Sequence, residues 1–237
     1  MTELRLAFGF LTALPVRPDR KLERGELGRA AIWFPWVGLS IGALLWLVRT
    51  AVAEHYPAGL SAGLIVALWA SASGGLHLDG LADCCDGLFA SAPPSQRLEI
   101  LKDVHVGALG VIGLLVLLLL KTAAVASLAD ARALLLAPLL GRWWLLPLAR
   151  MRPARLDGLG ARLHNELPTY WALPLPLLIG FLVPFGWRGA AAFVLSGVTT
   201  LLWGRLARER LGGQTGDVLG AVCETGELAS LLVFAWS

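Results

Sequence analysis

Three aspartates in the first half of the chain have the spacing of a metal-binding helix face. Asp79, Asp83 and Asp86 stand at positions i, i+4 and i+7, which share one side of an α-helix. Neighbouring carboxylates repel one another, so this face is costly unless a cation neutralises it. Carboxylate oxygens without thiolates or paired imidazoles favour a hard ion. We therefore expect Mg²⁺, with Mn²⁺ as the alternative, and a phosphate-bearing substrate.

Glycines flank these aspartates, with Gly74 and Gly75 before them and Gly80 and Gly87 among them. Because glycine lets a backbone or a phosphate approach closely, we assign Gly74 and Gly75 to substrate binding. The simpler explanation is that acidic residues at a helix end are only solvated, or favour the helix dipole. That explanation suits a single aspartate better than three on one face.

Two further polar segments have residue types suited to phosphate chemistry. They are Lys102-Asp103-Val104-His105 and Gly212-Gly213-Gln214-Thr215-Gly216-Asp217. A glycine-rich loop that opens a helix presents backbone N–H groups to phosphate, although no Walker A lysine follows here. His77 and His105 each lie two residues from an aspartate. Such a histidine is either a proton shuttle or phosphate donor, or a hydrogen-bonded structural group.

The composition indicates a polytopic membrane protein that is all-α. Of 237 residues, 57% are hydrophobic and 16% are charged, against roughly 45–50% and about 25% in soluble domains. We predict one transmembrane catalytic domain over residues 1–237, with about seven transmembrane helices and a short N-terminal interfacial or re-entrant helix, Leu4–Val16. The predicted spans are Ala31–Ala53, Leu60–Leu78, Ala108–Leu128, Ala133–Leu148, Tyr170–Phe185, Gly189–Trp203 and Asp217–Trp236.

Basic residues are distributed unevenly between the two sides of this predicted topology. Only Arg49, Arg132 and Arg188 fall on one side, whereas the other side receives nearly all the rest. The positive-inside rule then places the N-terminus and all the polar clusters in the cytoplasm, and the C-terminus outside. We expect a lipid bilayer around the protein and no nucleic-acid partner, and the sequence leaves a homo-oligomer open.

Acidic residues also enter the last predicted span. Ionised groups inside a membrane are expensive and face a cavity or a partner. Glu224 therefore either adds to the carboxylate site or pairs with an intramembrane base, for which Lys121 and Arg142 are the candidates. The three cysteines have no zinc-binding spacing.

The aspartate segment also carries a family resemblance. Gly74-Gly75-Leu76-His77-Leu78-Asp79-Gly80-Leu81-Ala82-Asp83, followed by Asp86-Gly87, resembles the cobalamin synthase family, the adenosylcobinamide-GDP ribazoletransferases. The segments Phe10–Val16, Lys102–Val111 and Thr215–Ala221 resemble further parts of that family in the same order. His105 departs from the pattern, because many relatives carry a basic residue such as arginine there.

This resemblance implies a specific reaction in cobalamin biosynthesis. The enzyme would join adenosylcobinamide-GDP to α-ribazole or its 5′-phosphate, with release of GMP and with Mg²⁺ as cofactor. It would lie in the inner membrane of a bacterium or in an archaeal membrane. Either Asp83 or Asp86 is the expected general base, and Asp103 or Asp217 either completes the metal shell or takes the proton. The expected sites are, for metal, Asp79, Asp83, Asp86 and Asp217; for catalysis, Asp83, Asp86, His77 and Asp103; and for substrate, Gly74, Gly75, Lys102, His105, Gln214, Thr215 and Gly216.

Two alternatives remain at this point. CDP-alcohol phosphotransferases also place aspartates at a membrane helix end, but they require arginine where this chain has Asp83 after Ala82. A cation-coupled transporter would place Asp79, Asp217 and Glu224 along an ion path. The acids of this chain instead cluster at one face, and no inverted repeat is visible.

Overall fold

The chain folds into helices. The computed structural model describes residues 3–16, 20 and 22–236, and within these residues the sole β-pairing is an isolated bridge between Pro153 and Gln214. The predicted all-α class is confirmed. The helices are α1 (Glu3–Leu11), α2 (Glu26–Ala31), α3 (Phe34–Val52), α4 (Ala58–Ala72), α5 (Leu76–Phe89), α6 (Pro94–Ile100), α7 (Ala108–Ala126), α8 (Ala133–Trp143), α9 (Leu145–Ala149), α10 (Gly158–Glu166), α11 (Leu175–Leu182), α12 (Gly186–Leu211) and α13 (Gly216–Ala235), with a 3₁₀ turn at Val183–Phe185.

Fewer helices than expected have the length and apolarity of a membrane span. Among the described residues, α3, α7, the run Leu175–Leu211 and α13 qualify, and α4 with α5 makes a fifth if that bent pair is one span. The prediction of about seven spans is therefore not confirmed. Two predicted spans fall within the single run Leu175–Leu211, and a third is divided between the shorter helices α8 and α9. Hydropathy alone does not locate such breaks.

The last helix, α13, lies at the centre of the bundle. Of its apolar window 78% is buried, against 22–33% in the other candidate spans. It packs against α5, α7, α8 and α12. By contrast, α7 leaves large apolar side chains such as Ile112, Leu115 and Leu119 exposed, which suits a lipid-facing surface. The protein thus surrounds α13 with helices that face outward.

Small residues set the distance between α3 and α8. A Cβ at Gly38 would lie 2.2 Å from the carbonyl oxygen of Pro138, and one at Gly42 would lie 2.6 Å from that of Leu134. Close approach over small residues is how membrane helices gain packing energy without a hydrophobic drive. This pair forms a rigid wall beside α13, since α8 also packs on α13.

The chain turns sharply between α4 and α5. Gly74 and Gly75 have φ angles of +63° and +71°, in the left-handed region that favours glycine. The axes of the two helices differ by 92°. The predicted span Leu60–Leu78 was wrong at this end, because it continued through the two glycines. Because of this bend, α5, which carries the aspartates, runs nearly perpendicular to α4.

Candidate active site

The site is built where α5 crosses α13. A Cβ on Gly80 would lie 2.8 Å from the carbonyl oxygen of Asp217, and one on Gly220 would lie 3.0 Å from that of His77. Both positions are glycine, so the two backbones meet without a side chain between them. This close crossing brings Asp79 of α5 and Asp217 of α13 to one cavity, although 138 residues of sequence separate them.

The cavity has a volume of about 220 Å³ and carries charge of both signs. Asp79, Asp217, Arg155 and His77 line it, together with apolar side chains from α1, α3, α9 and α10. A more open groove of about 530 Å³ adjoins it, and Asp79 lines both. Asp79 therefore lies between a smaller cavity and a more open groove, as a residue contacting an extended substrate would.

Asp83 lies one turn along α5 and is electrostatically part of the same group. Partial burial is the largest influence on its carboxylate, repulsion by Asp79, Asp217 and Asp86 follows, and Arg155 attracts it. Of the four predicted metal ligands, Asp79 and Asp217 line the cavity, and Asp83 lies close enough to both for their charges to interact with its own. Such repulsion favours the binding of a cation or of a group that brings one.

Arg155 is the site residue that the sequence did not single out. Its Nη2 lies 3.6 Å from Asp217 Oδ2, and its buried Nη1 has no hydrogen-bond partner among the described residues. The backbone places it there, because Ala154 N donates to Gln214 O at 2.9 Å and Gln214 N donates to Arg152 O at 3.0 Å. In the sequence Arg155 was one of many loop arginines, used only to orient the membrane topology.

The predicted phosphate loop before α13 has a largely structural geometry. Gln214 is buried, and its side chain donates to Gly160 O at 2.9 Å. Thr215 is the N-cap of α13, since its hydroxyl accepts from Val218 N, and it also donates to Asp217 Oδ2 at 3.1 Å. Gly216 lines the cavity. Of the three, Gly216 lines the cavity, Thr215 bonds the Asp217 carboxylate, and Gln214 ties the Arg155 loop to the start of α13.

Asp86 points away from the cavity. Its two oxygens accept hydrogen bonds from Gly107 N at 2.7 Å and from Gly110 N at 2.9 Å, at the start of α7. Carboxylates favour such positions because they satisfy free N–H groups and face the positive end of the helix dipole. Asp86 thus caps the N-terminus of α7 and does not line the cavity with Asp79.

The loop from Lys102 to His105 lies outside both cavities. His105 Nδ1 and Asp103 Oδ1 are 2.7 Å apart, and this hydrogen bond holds the pKa of the exposed Asp103 carboxyl below its usual value. Lys102 Nζ lies 3.9 Å from Asp157 Oδ2. The structure does not bring these three predicted residues to the aspartates, whereas Gly74 and Gly75 line the open groove.

The donor set suits magnesium that is completed by a substrate. Among the described residues, no three His, Cys, Asp or Glu side chains form a ready-made metal site. Mg²⁺ commonly takes only one or two carboxylates, with waters and substrate phosphates supplying the other ligands. Asp79 and Asp217, which both line the cavity, fit that pattern.

A second group of charges is buried next to the site. Lys121 Nζ lies 2.6 Å from Glu224 Oε2 and also bonds Glu227, which pairs in turn with Arg142. All four are almost fully buried. Of the two alternatives for Glu224, the structure therefore favours pairing, with Lys121 as the partner. The group has equal numbers of acids and bases, which is the usual way that charges persist inside a membrane.

Comparison with known proteins identifies the family of the chain. The family model for cobalamin-5-phosphate synthase matches residues 3–235. An adenosylcobinamide-GDP ribazoletransferase of Stutzerimonas stutzeri is 43% identical over 99% of this chain and 98% of its own length. Those of Desulfitobacterium hafniense and Ectopseudomonas mendocina are 38% and 41% identical, each over 98% of this chain and over 96% and 98% of their own lengths. No solved structure matches. The chain, with its aspartates gathered on α5 and α13, belongs to the cobalamin-5-phosphate synthase family.

Proposed function

We propose that this protein is an adenosylcobinamide-GDP ribazoletransferase that depends on Mg²⁺. It joins adenosylcobinamide-GDP to α-ribazole or its 5′-phosphate and releases GMP. The relatives that carry this name match the chain over nearly its whole length, and the match includes both helices of the site. The structural observation that supports the proposal most directly is the crossing of α5 and α13, which gathers Asp79, Asp217 and Arg155 around one cavity.

The reaction breaks a phosphoanhydride bond and forms a phosphoester bond. A ribose hydroxyl oxygen of α-ribazole attacks the phosphorus nearer the cobinamide arm, and the bond from that phosphorus to the bridging oxygen of GMP breaks. The electron pair leaves with GMP, and the hydroxyl proton passes to a carboxylate. Asp83 suits the base, because Asp86, the other candidate, is engaged with the start of α7.

The other residues of the cavity would bind the metal ion and the leaving phosphate. Asp79 and Asp217 would hold Mg²⁺, which when bound supplies charge neutralisation for the pyrophosphate. Arg155 has an N–H without a partner, and a guanidinium pairs well with phosphate oxygens. We assign it to the leaving phosphate. Catalysis of this kind rests mainly on positioning and on electrostatic stabilisation.

The same site supports an orientation in the membrane. Segments that the charge distribution assigns to the cytoplasmic side meet here, from α1, α5, the Arg155 loop and the start of α13. We propose an inner-membrane protein with its N-terminus and active site facing the cytoplasm.

The activity can be tested with purified protein in detergent. Adenosylcobinamide-GDP, α-ribazole and Mg²⁺ should yield GMP and a cobamide in equal amounts, and chelation with EDTA should stop the reaction until Mg²⁺ or Mn²⁺ is restored. Asp79→Asn should lose most turnover. Asp130→Asn is the matched control, because Asp130 pairs with Arg132 in a loop away from the cavity. Full turnover in excess EDTA, or no GMP at all, would contradict the proposal.

A further inference from the structure

A chain of buried polar groups runs from the centre of the bundle to the cavity. Glu227 of α13 pairs with Arg142 of α8, and Arg142 Nη2 lies 3.3 Å from His77 Nδ1. Arg142 and Glu227 are 0% exposed, and His77 is 3% exposed while lining the cavity. His77 therefore connects the buried pair of Arg142 and Glu227 to the cavity.

The chemistry of this contact fixes where the histidine carries its proton. A guanidinium has N–H donors and no acceptor, so the nitrogen that faces it must accept. His77 Nδ1 is then unprotonated, and the ring proton lies on Nε2. Among the described residues, Arg142 is the only hydrogen-bond partner of the ring. Nε2–H is thus the donor that remains for a group in the cavity.

The packing around Arg142 leaves it little freedom. A Cβ on Gly141 would lie 2.7 Å from Glu227 Cγ and 2.9 Å from Cys223 O, so α8 and α13 touch at this level. Glu227 is itself held by Lys121. Arg142 is fully buried between Glu227 and His77, and such a side chain is well suited to orient the ring, as outer groups orient histidines at metal sites.

We propose that Arg142 and Glu227 are positioning residues that fix His77 as an Nε2–H donor to a phosphoryl oxygen of the substrate. This proposal rests on the proposed function for the nature of the substrate. The tautomer itself is a property of the protein alone. It can therefore be tested whether or not the transferase reaction is the right one.

The first test is spectroscopic. Protein with ¹⁵N-labelled histidine contains four such residues, and the His77 signals are assigned by their loss in His77→Gln. We expect a single tautomer with the proton on Nε2. In the double variant Arg142→Gln/Glu227→Gln, which removes one base and one acid together, we expect a mixture of tautomers. A proton on Nδ1 in the native protein, or an unchanged signal in the double variant, would overturn the proposal.

The second test compares two amide side chains in place of the imidazole ring. In His77→Gln the amide nitrogen can reach the position of Nε2, whereas in His77→Asn the amide occupies the position of Nδ1. We expect Gln to keep most turnover and Asn to lose roughly 10²–10³-fold in kcat, as for a donor to a reacting oxygen. Equal losses, or better turnover with Asn, would overturn the donor role. Melting temperatures recorded in detergent show that both variants are folded.

Discussion

Adding one methyl group at Gly80 should slow the reaction by moving the two halves of the site apart. The new Cβ would lie 2.8 Å from the carbonyl oxygen of Asp217, and ordinary contact begins at 3.4 Å. The obstacle is backbone, so the helices must separate by about 0.6 Å. A misplacement of about 1 Å can cost about 10²-fold, which scales to a loss of roughly ten- to thirtyfold in kcat for Gly80→Ala.

The assay is GMP release by purified protein, with the melting temperature recorded alongside. Gly63→Ala on α4 is the matched control, because a Cβ there meets nothing within 4 Å. We expect it to keep native turnover and to gain about 0.5–1 kcal/mol in stability, as alanine does over glycine within a helix. Native turnover in a folded Gly80→Ala protein would refute the argument that the close crossing sets the geometry of Asp79 and Asp217.

Two further predictions concern residues near the site. Lys121→Met leaves Glu224 without its partner and should destabilise the protein by about 3–5 kcal/mol. The double variant Lys121→Met/Glu224→Gln should recover most of that loss, and equal melting temperatures for the two variants would contradict the pairing. Asp86→Ala removes two hydrogen bonds from the start of α7 and should cost about 1 kcal/mol of stability; native stability with abolished turnover would instead indicate a direct role in the chemistry.

Much of this site could be predicted from the sequence, because the spacing of residues within one helix determines which of them share a face. The i, i+4, i+7 spacing of the aspartates holds on any helix, and α5 is helical throughout that segment. The contribution of Asp217 to the same cavity was expected from a shared membrane face, and the crossing at Gly80 and Gly220 explains how it arises. Glu224 was expected either at a cavity or beside a base, and the contact with Lys121 decides between them.

What the sequence could not predict depends on three-dimensional contacts. Arg155 resembles every other loop arginine until the pairing with Gln214 brings it beside Asp217. Asp86 shares the helix with Asp79, but the start of α7 captures its carboxylate. The predicted number of spans was also not confirmed, because hydropathy reports how apolar a segment is and not where the helix bends, as it does after Ser73.

The buried ion pairs have a consequence for the order in which the protein is made. Lys121 and Arg142 are synthesised well before their partners, since Glu224 and Glu227 follow Lys121 by 103 and 106 residues. The ribosome therefore delivers two bases to the membrane whose compensating acids do not yet exist. An uncompensated charge in the bilayer is unfavourable, so we expect the nascent bundle to stay open until α13 is inserted. Insertion of this helix would then neutralise the bases and, through Asp217, complete the active site in the same step.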